Sequence, residues 1–279
     1  MTYQDPGVSG FAFPPMSPMV KRIVIANAAV YAFTLLLYLV STEGYRLLGH
    51  SLGIHPRSWA EFAPLLPVWQ LATYGFLHSL GPTHILFNML ALYFFASMVE
   101  GTVGSRRFLF AYGLGLVVPG LVWLLWTLAT APAGGLPDGL MTLGASGAVY
   151  MMICAAATFQ PDARVILIVF PIKLVWLAVG IMAIGTINGL IGFKSGASDG
   201  VNHMVHVVGG LLGFLMVRQR WIWKDPLGGL QQRREQLEQD RRQSNEQRLD
   251  ELLSKIKREG IHSLSRAERS FLKRYSSRR

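Results

Sequence analysis

The uneven distribution of charge constrains this chain more than any other feature of its sequence. The first 217 residues hold 9 basic and 7 acidic side chains, whereas the last 62, from Arg218 to Arg279, hold 17 and 9. Charged residues make up about a quarter of an ordinary soluble domain. Sixteen charges in 217 positions cannot coat a water-soluble globule of that size, so the natural solvent for the first part is lipid. The whole-chain averages of 51% hydrophobic, 15% charged and net +10 conceal the split. They still exclude a disordered chain, which needs low hydrophobicity. The single Cys154 excludes a disulfide framework and a thiol-rich zinc site.

About 20 mostly apolar residues cross a bilayer, and the uncharged runs locate such segments. They are Ile23–Thr42, the second half of Phe62–Val99 from about His84, Phe108 to near Ala131, Gly139–Pro161, Leu174–Phe193 and Gly200–Val217. The expectation is an all-α polytopic membrane protein with six transmembrane helices. Lys21 and Arg22, Arg106 and Arg107, Arg164 and Lys173, and the basic tail all fall on one side of that arrangement. The positive-inside rule makes this side cytoplasmic and places both termini there. The first segment is too long and too late for a cleaved signal peptide. The stretch Glu43–Pro67 carries Trp59, Phe62, Leu65 and Leu66 among prolines. It reads as a loop dipping into the outer interface, a depth that tryptophan favours.

A polar side chain inside a span is costly and points to function. Three places carry such residues. His78 to Asn88 sets His84 and Asn88 four apart, on one helix face. Gly144-Ala145-Ser146-Gly147 opens the fourth helix, and His203-Met204-Val205-His206 opens the sixth, followed by Gly209, Gly210 and Gly213. Each has an ordinary explanation. A serine in a span bonds back to its own helix, a Gly-x-x-x-Gly pair packs helices, and four histidines suggest zinc or haem. A metal site, however, wants closer sets of ligands with a carboxylate or thiolate. Glu100, Asp138, Asp162 and Asp199 lie only at the helix ends. The combination points elsewhere, to a nucleophile, a base and oxyanion donors on three elements. Either His203 or His206 could be the base.

In their order along the chain, four segments resemble the rhomboid intramembrane serine proteases. They are Trp69-Gln70-Leu71-Ala72-Thr73-Tyr74-Gly75-Phe76-Leu77-His78, His84-Ile85-Leu86-Phe87-Asn88-Met89, Gly144-Ala145-Ser146-Gly147-Ala148-Val149-Tyr150 and His206-Val207-Val208-Gly209-Gly210-Leu211-Leu212-Gly213. The resemblance implies a six-helix core over residues 20–220 and a Ser146–His206 dyad without a third acid. It implies oxyanion stabilisation by His84, Asn88 and the Ser146 backbone N–H, with Gly144 leaving room for substrate backbone. Tyr150 would pack on the His206 ring, and Gly209 and Gly213 would bring the last helix close to the fourth. It favours His206 over His203, because the glycines follow His206 at the family's spacing. Gln70 departs from the Trp-Arg of some relatives, which should alter loop anchoring. His78 reads as a structural loop residue and Cys154 as helix packing. The implied activity is cleavage of transmembrane segments in other membrane proteins, with no metal or cofactor, from a multi-pass position in the bacterial inner membrane. Two other readings are a catalytically silent rhomboid-like binding or quality-control factor and a metal-handling membrane protein.

Residues 1–19 read as an N-terminal cytosolic tail and 221–247 as a polar linker or solvated helix. Over 248–279, Leu249, Leu252, Leu253 and Ile256 follow helical spacing, Gly260 is a plausible stop, and Ser265-Arg266-Ala267-Glu268 is a capping box. A small cytosolic helical hairpin is expected, resembling a C-terminal module of some bacterial rhomboids. The tail's net +8 (17 basic less 9 acidic) is read as topology-setting charge that touches anionic lipid, not as a nucleic-acid site.

Overall fold

The computed structural model describes residues 15–62, 64–133, 135–137, 139–167, 170–195, 200–225 and 228–276. Most of the expected N-terminal tail, together with Asp138 and Asp199, lies outside the described residues. The chain divides between Lys224 and Asp225 into two units.

The first unit is a bundle of apolar helices, in keeping with the all-α membrane protein expected. Helix α1 (Pro18–Val40) is apolar on all sides and largely exposed along its length, as a lipid-facing span must be. Its N-terminus is capped from a distant helix. The buried Glu100 carboxylate accepts the N–H groups of Met19 at 3.0 Å and Val20 at 2.9 Å, and the hydroxyls of Ser17 and Ser105. A carboxylate is favoured there because it meets unsatisfied N–H donors and the positive end of the helix dipole.

The stretch expected as an irregular loop is instead two short helices, α2 (Thr42–Leu52) and α3 (Pro56–Glu61). Ser41 Oγ accepts from Gly44 N at the start of α2, and the His55 side chain caps α3, where Pro56 supplies the preset φ of a first helical residue. A single turn, α4 (Gln70–Thr73), leads into a 3₁₀ turn at Tyr74–Phe76. Next, α5 (Pro82–Ala91), a π turn (Leu92–Ala96) and α6 (Ser97–Val103) make one 22-residue span. Gly104, at φ 83°, turns the chain into α7 (Ser105–Ala129).

The fourth apolar segment is shorter than its uncharged run. Only Ser146–Phe159 is helical, as α8, and residues 139–145 approach it as irregular chain. Fourteen residues rise about 21 Å, less than the roughly 30 Å of hydrocarbon, so α8 begins inside the bundle. Its side chains from Gly147 to Ala157 are buried apart from Tyr150, which makes it the central helix. The irregular lead-in is tolerable at that depth because protein, not lipid, surrounds it.

A two-stranded antiparallel ribbon, β1 (Arg164–Leu167) and β2 (Phe170–Lys173), joins α8 to α9 (Leu174–Ser195). No strand was expected, yet Arg-Val-Ile-Leu carries the β-branched residues that suit one. Lys173 Nζ reaches Asp162 at 2.7 Å at its base. Helix α10 (His203–Arg218) completes the unit and, like α8, is a short apolar helix.

Glycine brings α8 and α10 together. A Cβ at Gly209 would collide with the carbonyl oxygen of Gly147, and one at Gly213 with that of Met151. At Gly147 a Cβ would fall 2.8 Å from Val205 Cγ1 and 3.2 Å from the Gly115 carbonyl of α7. Three helices thus touch backbone to backbone.

In the second unit, α11 (Gly228–Glu259) runs unbroken through the stretch read as linker or solvated helix. Gly260, at φ 78°, ends it, and α12 (Arg266–Ser276) follows. The capping box closes in both directions: Ser265 N donates to Glu268 Oε2 at 2.6 Å, and Glu268 N to Ser265 Oγ at 3.2 Å. Lys255 Nζ lies 3.1 Å from Glu268 Oε1, and Leu252 and Leu264 are buried between the turns.

Two predictions follow from this packing. Gly213→Ala should destabilise the first unit by about 1–3 kcal/mol through overpacking, whereas Gly180→Ala, which meets open space, should be neutral or slightly stabilising. Thermal unfolding of the two variants in detergent checks the contrast. In the second unit, the Ser265 backbone, then Lys255 and the Ser265 hydroxyl, hold the Glu268 carboxyl below its ordinary value. A depressed carboxylate contributes stability above its unfolded pKa of about 4.3 and loses it as pH falls through the lower folded value. Amide exchange protection of residues 266–276 in the full chain should therefore fall below about pH 4 in wild type. In Glu268→Gln it should change much less over the same range.

Candidate active site

The site forms where α8 starts. Gly144 adopts φ 114°, a conformation that only glycine takes without strain. Its N–H donates to the Tyr74 carbonyl at 2.9 Å, while the buried Tyr74 hydroxyl donates to the Leu116 carbonyl at 2.7 Å. The turn is therefore pinned to the 3₁₀ turn at Tyr74 and, through the Tyr74 hydroxyl, to α7. It delivers Ser146 as the first residue of α8, where backbone N–H groups have no partner within the helix and the dipole is positive.

The backbone contact between α8 and α10 places the two key side chains. Ser146 Oγ lies 2.7 Å from His206 Nε2, within hydrogen-bond distance. Tyr150, one turn further along α8, stacks on the His206 ring with centroids 4.3 Å apart and planes 9° apart. The ring is thereby clamped by one face and held by one nitrogen. A hydroxyl donating to Nε2 is the ground-state geometry that general-base activation of serine requires.

His84 reaches the same turn from α5. Its Nδ1 accepts the Ser79 backbone N–H at 3.3 Å and lies 3.2 Å from Ser79 Oγ. Because a backbone N–H can only donate, Nδ1 is an acceptor and Nε2 carries the proton of the neutral ring. That Nε2 lies 2.8 Å from where a Gly144 Cβ would be. The space left by the missing side chain at 144 therefore admits the His84 donor to the turn before Ser146. Asn88 is positioned differently. It is buried, and its Nδ2 donates to the His84 carbonyl at 2.8 Å, within its own helix. The structure thus brings Ser146, His206 and Tyr150 into contact and sets His84 against Gly144, while the Asn88 amide is engaged locally. Gly209 and Gly213 serve the helix contact already described.

The remaining histidines are neighbours of the site. His203 stands edge-on to His206 with centroids 6.0 Å apart, and the buried His78 stands edge-on to His84 at 5.0 Å. Cys154 is buried against α10, its Sγ 3.1 Å from a Cβ placed on Gly210. No set of three His, Cys, Asp or Glu side chains able to hold a metal occurs among the described residues.

Three supporting residues escaped the sequence reading. Asn202 caps α10 through Val205 N at 3.2 Å and donates to Thr142 Oγ1 at 3.1 Å, tying the start of the His206 helix to the lead-in of α8. Its position immediately before an apolar helix is an N-cap signal. Ser79 sets the His84 tautomer, and nothing in its local sequence marks that role. Gln70, noted only as a departure, is the loop's anchor. Its Oε1 accepts Trp59 Nε1 at 2.9 Å and its Nε2 donates to the His50 carbonyl at 3.0 Å, so α2 and α3 both rest on one buried amide.

Comparison with known proteins bears on the family of the chain. The pattern of the Rhomboid domain matches residues 66–221. A Bacillus subtilis protein named "Putative rhomboid protease YdcA" is 26% identical over 205 residues, covering 73% of this chain and 89% of that protein. The mitochondrial presenilin-associated rhomboid-like proteins of Mus musculus and Homo sapiens are 26% and 27% identical over 147 residues, 51% of this chain and 36% of theirs. Residues 235–278 match a family of unknown function. With its Rhomboid domain extending over more than half its length, and with the bundle and site geometry above, the chain belongs to the rhomboid family.

Proposed function

We propose that this protein is an intramembrane serine endopeptidase, with Ser146 as nucleophile and His206 as general base. The observation that carries the reading is the 2.7 Å approach of Ser146 Oγ to His206 Nε2 from two helices packed backbone to backbone. His206 takes the hydroxyl proton as Oγ attacks the scissile carbonyl. The carbonyl oxygen becomes an oxyanion, which the Ser146 N–H and the His84 Nε2–H stabilise, with Asn88 joining if its amide rotates from the His84 carbonyl. Collapse transfers the proton from His206 to the leaving amine and leaves an acyl–Ser146 ester. Water, deprotonated by the same histidine, hydrolyses the ester and restores both side chains.

The scheme assigns no acid a role in orienting His206. Tyr150 stacking fixes the ring plane, and Ser146 fixes one edge. Because α8 starts inside the bundle, a substrate reaches Ser146 by unwinding a transmembrane segment locally at that depth. Glycine and serine in the substrate favour this by lowering helix propensity, and any small side chain, alanine included, eases close approach. The basic residues at one set of helix ends favour a bacterial inner membrane orientation with both termini cytoplasmic. The site then faces the outer half of the bilayer.

Ser146→Ala should lower cleavage of a reporter transmembrane substrate in proteoliposomes by at least about a thousandfold, with insertion and thermal stability retained. Undiminished cleavage would refute the assignment. His84→Ala should lower kcat by roughly 10²–10³-fold, the usual cost of removing one oxyanion donor. A fluorophosphonate probe should label wild type at Ser146, as mass spectrometry of the modified peptide would read. Should folded wild type neither cleave nor label, a catalytically silent member of the family would be the better description.

A further inference from the structure

Lined in part by His78, a cavity of about 560 Å³ lies outside the residues that the proposed chemistry uses. Its walls come from α1, α2, the residues before α5 and the irregular lead-in to α8. Thr34 lines it six residues before the end of α1, which places it roughly 9 Å below that helix end at 1.5 Å per residue.

The chemistry of the walls is one-sided. Arg46, Tyr45, His50 and His78 present hydrogen-bond donors, and no carboxylate lines the cavity among the described residues. Arg46 forms no ion pair with a described acid, whereas Arg57 of the neighbouring helix is paired with Glu61 at 2.6 Å. The opposite wall is apolar, with Leu48, Leu77 and Leu143.

The second observation is His78 itself. The residue is 2% exposed, and neither ring nitrogen has a partner in normal hydrogen-bond geometry among the described residues, the Phe76 backbone offering only a hydrogen bond outside that geometry. A buried polar group left without a partner costs free energy that a bound ligand can recover. His50 and His55 stand 4.1 Å apart, centroid to centroid. Burial, and then the neighbouring ring, push the His50 pKa down. Negative charge in the cavity would offset both effects.

We propose that this cavity binds the anionic phosphate headgroup of a membrane lipid. Arg46 pairs with the phosphate, the His78 ring N–H donates to one of its oxygens, His50, whose Nε2 lies 3.5 Å from Ser58 Oγ, adds a second donor when protonated, and the leucine wall takes the glycerol and the first methylenes of the acyl chain. A guanidinium with free donors suits phosphate geometry, and a half-apolar wall built partly from a membrane span suits a lipid better than a free ion. The inference rests on the membrane-embedded fold and not on the proposed protease activity, so a wild type that fails to cleave leaves it standing.

The test uses the full chain in nanodiscs of phosphatidylcholine mixed with phosphatidylglycerol, followed by extraction and native mass spectrometry of the lipid retained. Both lipids carry the phosphate, but the choline cation of phosphatidylcholine offsets its charge beside Arg46, so wild type should retain phosphatidylglycerol over phosphatidylcholine by about tenfold. Arg46→Gln should bring the two lipids close to parity. Arg57→Gln removes an exposed, paired arginine outside the cavity and should leave the preference intact. Equal retention of both lipids by wild type, or an Arg46→Gln preference as strong as wild type, would overturn the site. Loss in Arg57→Gln as large as in Arg46→Gln would also overturn it, since general surface charge would then suffice. Displacement of the lipid by inorganic phosphate would overturn the lipid assignment in favour of a free anion.

Discussion

The first unit is organised around the backbone contact between α8 and α10. Lipid offers no hydrophobic force to drive one apolar helix onto another, so close van der Waals packing has to do it. Here the carbonyl oxygens of Gly147 and Met151 occupy the space that side chains at 209 and 213 would fill. The approach fixes the spacing of the helix faces above it, so Ser146 and His206 meet at 2.7 Å and Tyr150 lies flat on the imidazole. Gly115 extends the same arrangement to α7, where a Cβ would fall 2.7 Å from Met151 Sδ. Four glycines therefore set the geometry of a site to which none of them contributes a side chain.

A second constraint shapes what surrounds that centre. Polar groups away from water must find partners within the protein, and here long-range bonds to irregular segments supply many of them. Glu100 caps α1 from the end of α6, Gln70 holds α2 and α3, Tyr74 bonds α7, and Asn202 ties α10 to Thr142. Each bond fixes a place where the chain leaves regular structure. This is why non-helical chain can lead into α8 at membrane depth. The same economy makes His78 conspicuous, because it is buried beside the site and lacks such a bond.

Much of the fold was legible because lipid sorts residues crudely. An uncharged run of sufficient length has few alternatives to a span, and the six runs coincide with the four long apolar helices and the two short ones. What was not legible depends on local competition. The Glu43–Pro67 stretch has weak helical periodicity and many loop-forming residues, yet the caps at Ser41 and His55 and the anchor at Gln70 select helix. Arg164–Leu167 and Phe170–Lys173 read only as part of the connection between the fourth and fifth spans, whereas their pairing, with Arg164 opposite Lys173, makes them strands. The start of α8 at Ser146, and not near Gly139, depends on Gly144 and its bond to Tyr74, seventy residues away.

By itself the sequence determined which residues could be candidates, because in a stretch with sixteen charges in 217 positions a serine, two histidines and an asparagine stand out against apolar neighbours. It also determined the order of those residues along the chain and the glycines needed for close packing. Only the tertiary structure decided their relations. It set Ser146 against His206 and not His203, gave His84 its tautomer through Ser79, and turned the Asn88 amide back onto its own helix. The reason is one of range. Hydropathy and glycine spacing act along the chain and can be read from it, but hydrogen-bond distances between residues sixty apart are settled by how helices pack.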